Sequence, residues 1–134
     1  MIISIQADGP VPIYEQIVAQ VIYGVAAGTL EVGTFIPSVR ELAEQLLVHP
    51  NTVARAFMEL ERAGVVTPRR GRGMEVTEQA PATCKARRQE LVRGRIRQAL
   101  REAAASVLSP EEIRHLVEEE LAAVNGARQP REKR

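Results

Sequence analysis

Tryptophan is absent from the 134-residue chain, and aromatic residues make up only 3% of it. Aliphatic side chains must therefore fill whatever core it builds. A single cysteine, Cys84, excludes an internal disulfide and suits a reducing compartment. No apolar run approaches the ~18 residues that a membrane-spanning helix requires. The opening MIISIQADG lacks the basic n-region of a secretory signal, and its apolar run stops at Gln6. A cytoplasmic protein without a membrane partner is expected. Two histidines and one cysteine are too few for a Ser-His-Asp or Cys-His constellation, so enzymatic chemistry is not expected. His49, His115 and Cys84 also fall in separate segments without metal-ligand spacing, so neither a metal nor another cofactor is expected.

What is present fits one modest core: 45% hydrophobic and 26% charged residues. A chain of this length buries roughly two-thirds of its unfolded surface. The net charge of +1 is uninformative, but its distribution is not. Residues 1–76 hold six arginines against eight acids, and three of those six fall between Arg69 and Arg72. Overall this half is not basic, which counts against nucleic acid. The local cluster counts for it.

Periodicity and caps predict the elements. IISI (2–5) reads as a short strand, broken by ADGPVP. Ile13, Ile17, Val21 and Val25 recur every four residues, giving a helix that opens with Pro12 at its first position and is capped by Gly28. In PSVRELAEQLL, Ser38 and Glu41 form a capping box, and Val39, Leu42, Ala43 and Leu46 face inward. That helix must end near Leu47, because Pro50 disfavours helical geometry in the residue before it. Pro50 then opens a third helix with His49 as its cap, and Val53, Ala56, Phe57 and Leu60 form its buried stripe. Gly64 stops it. Val65 and Val66, an Arg-Gly turn, and Met74 to Val76 predict a β-hairpin, in which Pro68 demands an edge position.

TEQAPAT (77–83) reads as a hinge-like linker. Beyond it, Leu91, Ile96 and Leu100 belong to one long amphipathic helix. SPEE (109–112) caps another, carrying Leu116 and Leu121. NGARQPREKR (125–134) reads as a frayed tail whose basic, disordered part begins at 127.

Three explanations compete for the cluster Arg69, Arg70, Gly71, Arg72, Gly73: a solvated turn, a phosphate cradle for a nucleotide, or a finger for nucleic acid. The second is poorly supported, since neither a G-x-x-x-x-G-K-[ST] pattern nor a following helix N-terminus is present. The order strand, helix, helix, short turn, helix, hairpin favours the third. It is that of a winged helix-turn-helix, in which the helix after the turn enters the major groove and the hairpin is a wing.

The motifs PIYEQI (12–17), G-T-L-x-x-G (28–33), PSVRELA (37–43), NTVARAF (51–57), L-x-x-A-G-V-V (60–66) and GRGMEV (71–76) occur in this order. Over about the first 77 residues the chain thereby resembles the DNA-binding domain of the GntR family of bacterial transcription regulators. The H-P-N-T-V form and the two short C-terminal helices are most similar to the YtrA subfamily. The resemblance implies a mostly α fold with a small β-hairpin: a winged helix-turn-helix domain over 1–77, followed by a two-helix dimerisation region over 78–126. It further implies a homodimeric repressor of a pseudo-palindromic double-stranded DNA operator, nucleoid-associated when bound. Members similar to YtrA often control transporter operons.

Carried over by position, Ser38 and Arg40 belong to the DNA contact set at the start of the second helix. His49, Pro50, Asn51, Thr52 and Arg55 belong to it on the third, and Arg69 to Gly73 form the wing. Arg40 lies in a helical first turn, where a positive charge opposes the dipole and a phosphate would offset it. Asn51 has the geometry for adenine. For Arg55 an ion pair with Glu59 competes. Family members often carry Arg or Ser where Pro50 stands, which shifts base readout toward Asn51 and Arg55, and Leu where Ile36 stands. Leu91, Ile96, Leu100, Leu116 and Leu121 are the expected dimer seam, with any small-molecule effector binding beside it. The alternative is a winged-helix module that binds protein and no specific DNA.

Overall fold

The computed structural model describes residues 3–132, with side chains as far as Gly126. It divides into two compact units, Met1–Leu91 and Val92–Arg134. The first holds helix α1 (Ile13–Ala27), strand β1 (Phe35–Ile36), helices α2 (Val39–Leu46) and α3 (Pro50–Arg62), strands β2 (Val66–Arg69) and β3 (Gly73–Val76), and the opening turns of α4 (Ala80–Ala105). The second holds the rest of α4 and α5 (Pro110–Glu132). The fold is mostly helical, with one small antiparallel sheet, as expected.

The core is aliphatic. Ile17, Val21 and Ile22 of α1, Leu42 of α2, and Val53 and Leu60 of α3 are almost fully removed from solvent. Each such side chain contributes roughly 1.5–3 kcal/mol relative to exposure. The sheet closes one side through Val66 and Val76, which pair across the hairpin.

Local caps fall where the sequence places them. Ser38 Oγ accepts from Glu41 N–H at 3.1 Å, and Glu41 Oε1 accepts from Ser38 N–H at 3.0 Å. Ser109 and Glu112 repeat the box at 3.1 and 2.9 Å. The hydrogen bonds from Ser38 and Ser109 hold both carboxyls below the usual carboxylate range. Gly28 ends α1 in the left-handed region at φ +85°. Pro12 is the N-cap of α1 and not its first residue, a shift of one position.

Several expectations need correction. The strand expected over 2–5 is absent over its described residues 3–5. No strand edge receives it, and side-chain amides of α1 bind its backbone instead. Gln16 Oε1 accepts from Gln6 N–H at 2.7 Å, Gln16 Nε2 donates to Gln6 C=O at 2.9 Å, and Gln20 makes the same pair with Ser4. Each glutamine thus behaves as one peptide unit of a missing neighbour. The hairpin gains a third strand, because β1 pairs with β3 through Phe35↔Glu75 and Ile36↔Met74. Two residues are too few for alternation to reveal. The order β1-β3-β2 leaves β2 at the edge, where Pro68 is tolerated.

The linker expected over 77–83 shrinks to three residues, since α4 starts at Ala80. Pro81 resembles a breaker but sits in a first turn, where proline is favoured. Ala80 and Cys84, one turn apart, are fully buried in the first unit's core, so Cys84 is a core residue and not part of a linker. The described helix α5 runs on to Glu132, past the fraying expected from Asn125. Gly126 costs only about 1 kcal/mol against alanine, too little to stop a propagating helix. The last residues of the expected tail, 133–134, lie outside the described residues.

Candidate nucleic-acid interface

Helices α2 and α3 are joined by Leu47–His49. Leu47 turns the chain in the left-handed region at φ +57°, with its N–H bound to Ala43 and Glu44 carbonyls. Val48 N–H also returns to Ala43 C=O at 3.1 Å. The doubly satisfied end of α2 permits an abrupt start of α3. There His49 Nδ1 accepts from Asn51 N–H at 3.0 Å. That acceptor role leaves the proton of the neutral imidazole on Nε2, a donor on an exposed ring. Pro50 occupies the first turn, where its missing N–H costs nothing.

His49, Pro50, Asn51 and Arg55 are all exposed, and Thr52 is half-buried. Val53, Ala56, Phe57 and Leu60 anchor the opposite face. This first turn therefore offers exposed hydrogen-bonding side chains at the positive end of the helix dipole, while the Asn51 and Thr52 amides are bound within the cap to His49 Nδ1 and His49 C=O. Ser38 and Arg40 are likewise exposed at the start of α2. Ser38 Oγ is committed as an acceptor to Glu41 N–H, which leaves its hydroxyl proton for an anion.

The wing is a tight turn between β2 and β3. Arg72 N–H donates to Arg69 C=O at 2.9 Å, and Gly71 and Gly73 take φ of +73° and +105°. A Cβ on either would meet nothing within 4 Å, so glycine is required by backbone angle and not by space. The three arginines differ in environment. Arg69 Nε donates to Glu75 Oε1 at 2.5 Å. The Arg72 guanidinium lies 4.9 Å from the centre of the Phe35 ring. Arg70 has no ion-pair partner among the described residues. A recess of about 380 Å³, lined by Phe35, Ser38, Glu41, Arg72 and Gly73, joins the root of the wing to the start of α2.

The ion pair weighed for Arg55 is not formed. Glu59 bonds Arg62 at 3.4 Å instead, and Arg55 crosses to α1, where it stacks on Tyr14 with 3.8 Å to the ring centre. Nothing in the sequence marks Tyr14 or Phe35 as a partner of these arginines. Glu75 leaves one trace there, as the first acid after the arginine cluster.

On the second unit, Ile96, Leu100, Leu116 and Leu121 are 41–55% exposed. Leu91 differs, being half-buried against the first unit's core. Ile96 and Leu100 line an open groove of about 430 Å³ with Arg93, Arg97 and Arg101. Among the described residues no group of three or more His, Cys, Asp and Glu is arranged to hold a metal ion. No helix there is long and apolar enough to cross a membrane.

Comparison with known proteins bears on the family and the fold. Residues 13–76 match the family described as bacterial regulatory proteins, gntR family. The chain is 33% identical over 126 residues to the HTH-type transcriptional repressor YtrA of Bacillus subtilis (strain 168), covering 94% of this chain and 97% of that one. Among solved structures, a transcriptional antiterminator from Listeria monocytogenes EGD-e superposes with a TM-score of 0.63 at 31% identity, covering 89% of each chain. YtrA from Sulfolobus acidocaldarius, a GntR-family transcription factor, does so with a TM-score of 0.55 at 29% identity, covering 92% of this chain and 99% of that one.

Proposed function

The chain belongs to the GntR family of bacterial regulatory proteins, non-enzymatic transcription regulators with a winged-helix DNA-binding domain, and on that premise we propose that it is a homodimeric repressor of a pseudo-palindromic operator. The observation that carries the proposal is the exposed first turn of α3, from His49 to Arg55, held by a core face on its other side. In this reading α3 enters the major groove, Asn51 and Arg55 contact base edges, and Arg40 and the wing arginines bind phosphates. The exposed seam of Ile96, Leu100, Leu116 and Leu121 is buried against a second copy, which fixes the spacing of the two reading heads. Any small effector binds beside that seam, where the groove of Arg93, Arg97 and Arg101 suits an anion. The likeness to the repressor YtrA of Bacillus subtilis supports a cytoplasmic repressor, and the resemblance to the YtrA subfamily suggests a transporter operon as its target.

The test is selection of duplexes from a random library by the full chain, with sedimentation in parallel. The enriched duplexes should share a two-fold-related motif with half-sites about one DNA turn apart, roughly 34 Å. The protein should sediment as a dimer at micromolar concentration. A chain that enriches no duplex is a protein-interaction module instead, and a monomer would remove the two-headed mechanism.

A further inference from the structure

We propose that Tyr14 of α1 is a specificity-determining positioning residue, holding Arg55 of α3 in one orientation for a base contact; the inference rests on the DNA-reading role above. Arginine carries large rotamer entropy, which an exposed side chain must lose before it can read a base. Here much of that loss is met before DNA arrives. The guanidinium lies 3.8 Å from the centre of the Tyr14 ring, and Arg55 Nη2 donates to Tyr14 Oη at 3.2 Å. The hydroxyl in turn donates to Glu15 Oε1 at 3.2 Å, so the phenol serves both partners at once.

The platform is rigid. Tyr14 is half-buried and packs on the core cluster, and the helix that bears it is pinned by fully buried Ile17 and Val21. The competing partner along α3 is not taken up, since Glu59 bonds Arg62 and not Arg55. A guanidinium has five N–H donors, and this arrangement uses one. The remaining donors still provide the paired N–H groups that guanine O6 and N7 accept. Residues 41 positions apart in sequence thus form one reading element.

The test uses the full chain and the duplex it enriches from a random library, with a random duplex as reference. Tyr14→Ala should reduce preference for the enriched duplex by about three- to tenfold per half-site, with random-duplex affinity unchanged. Tyr14→Phe, which keeps the ring and loses the hydroxyl, should fall between Tyr14→Ala and wild type. Tyr14→Leu preserves bulk without the π face and should resemble Tyr14→Ala, which guards against a simple folding defect. In an Arg55→Ala background, Tyr14→Ala should cost nothing more. Equal losses with and without Arg55, or a variant that weakens random and enriched duplex alike, would overturn the positioning role while leaving the DNA-reading role intact. Tighter binding by Tyr14→Ala would also overturn it, by showing that the ring sequesters Arg55. If the wild-type chain enriched no duplex, both readings would fall together.

Discussion

Removing the Arg70 side chain should reveal that the three arginines of the wing do unequal work. Arg70 has no ion-pair partner among the described residues, whereas Arg69 is bound to Glu75 at 2.5 Å. A phosphate that recruits Arg69 must compete with a carboxylate already in place. One that recruits Arg70 displaces only water and counterions. Each phosphate contact contributes about 0.9 to the slope of log affinity against log salt, and a dimer carries two wings, so Arg70→Ala should flatten the slope by about 1.8. Between 50 and 200 mM salt, that change alone alters the loss of affinity by roughly tenfold. Arg69→Ala should flatten the slope by less, and Glu75→Gln, which releases Arg69, should steepen it. Fluorescence anisotropy of a labelled duplex across a potassium chloride series measures all three. An Arg70→Ala slope equal to wild type would refute the wing as a phosphate finger. Equal changes for Arg69→Ala and Arg70→Ala would refute the restraint by Glu75.

Asn51→Ala should relax preference at one base position per half-site, costing about 1–3 kcal/mol on the preferred duplex and little on random DNA. Arg40→Ala should weaken both alike, and competition assays separate the two outcomes. Leu47→Gly should stabilise the first unit by about 0.5–1 kcal/mol, because a left-handed leucine is strained and this one, 91% exposed, has little burial to lose. Both tyrosines lie in that unit, so the urea midpoint of tyrosine fluorescence reports it, and an unchanged or lowered midpoint would contradict the strain argument. Burial pushes the Cys84 thiol up to about 11 from 9.0, partly opposed by Arg87. The folded state therefore holds the proton more tightly than the unfolded one. Stability from this group is complete below pH 9 and is lost as pH rises toward 11. Cys84→Ala should flatten that decline in alkaline urea titrations, and an identical decline in both proteins would show that the thiol is not its source.

Sequence alone determined what depends on neighbours three or four residues apart. The Ser38–Glu41 and Ser109–Glu112 boxes, the Gly28 cap, the break before Pro50 and the stripe Val53, Ala56, Phe57, Leu60 all close hydrogen bonds or faces within one or two turns. Such bonds need only partners within a turn or two of chain, so the helix-turn-helix and the glycine turn of the wing are legible in the order of residues itself. Tertiary structure decided what depends on which distant segment arrives. Ile3 to Ile5 have strand composition, but glutamine amides of α1 took the backbone groups of Ser4 and Gln6 and no ladder formed. Pro81 marks the opening of a helix because Ala80 and Cys84 found a core to enter. The site divides in the same way. His49 capping Asn51 is local, whereas Arg55 on Tyr14 and Arg72 over Phe35 join residues 41 and 37 positions apart. Arg69 and Glu75 face each other because the register of β2 and β3 sets them there. A guanidinium finds several partners of similar strength within its reach. Only the packed positions of α1, β1 and β3 select among them.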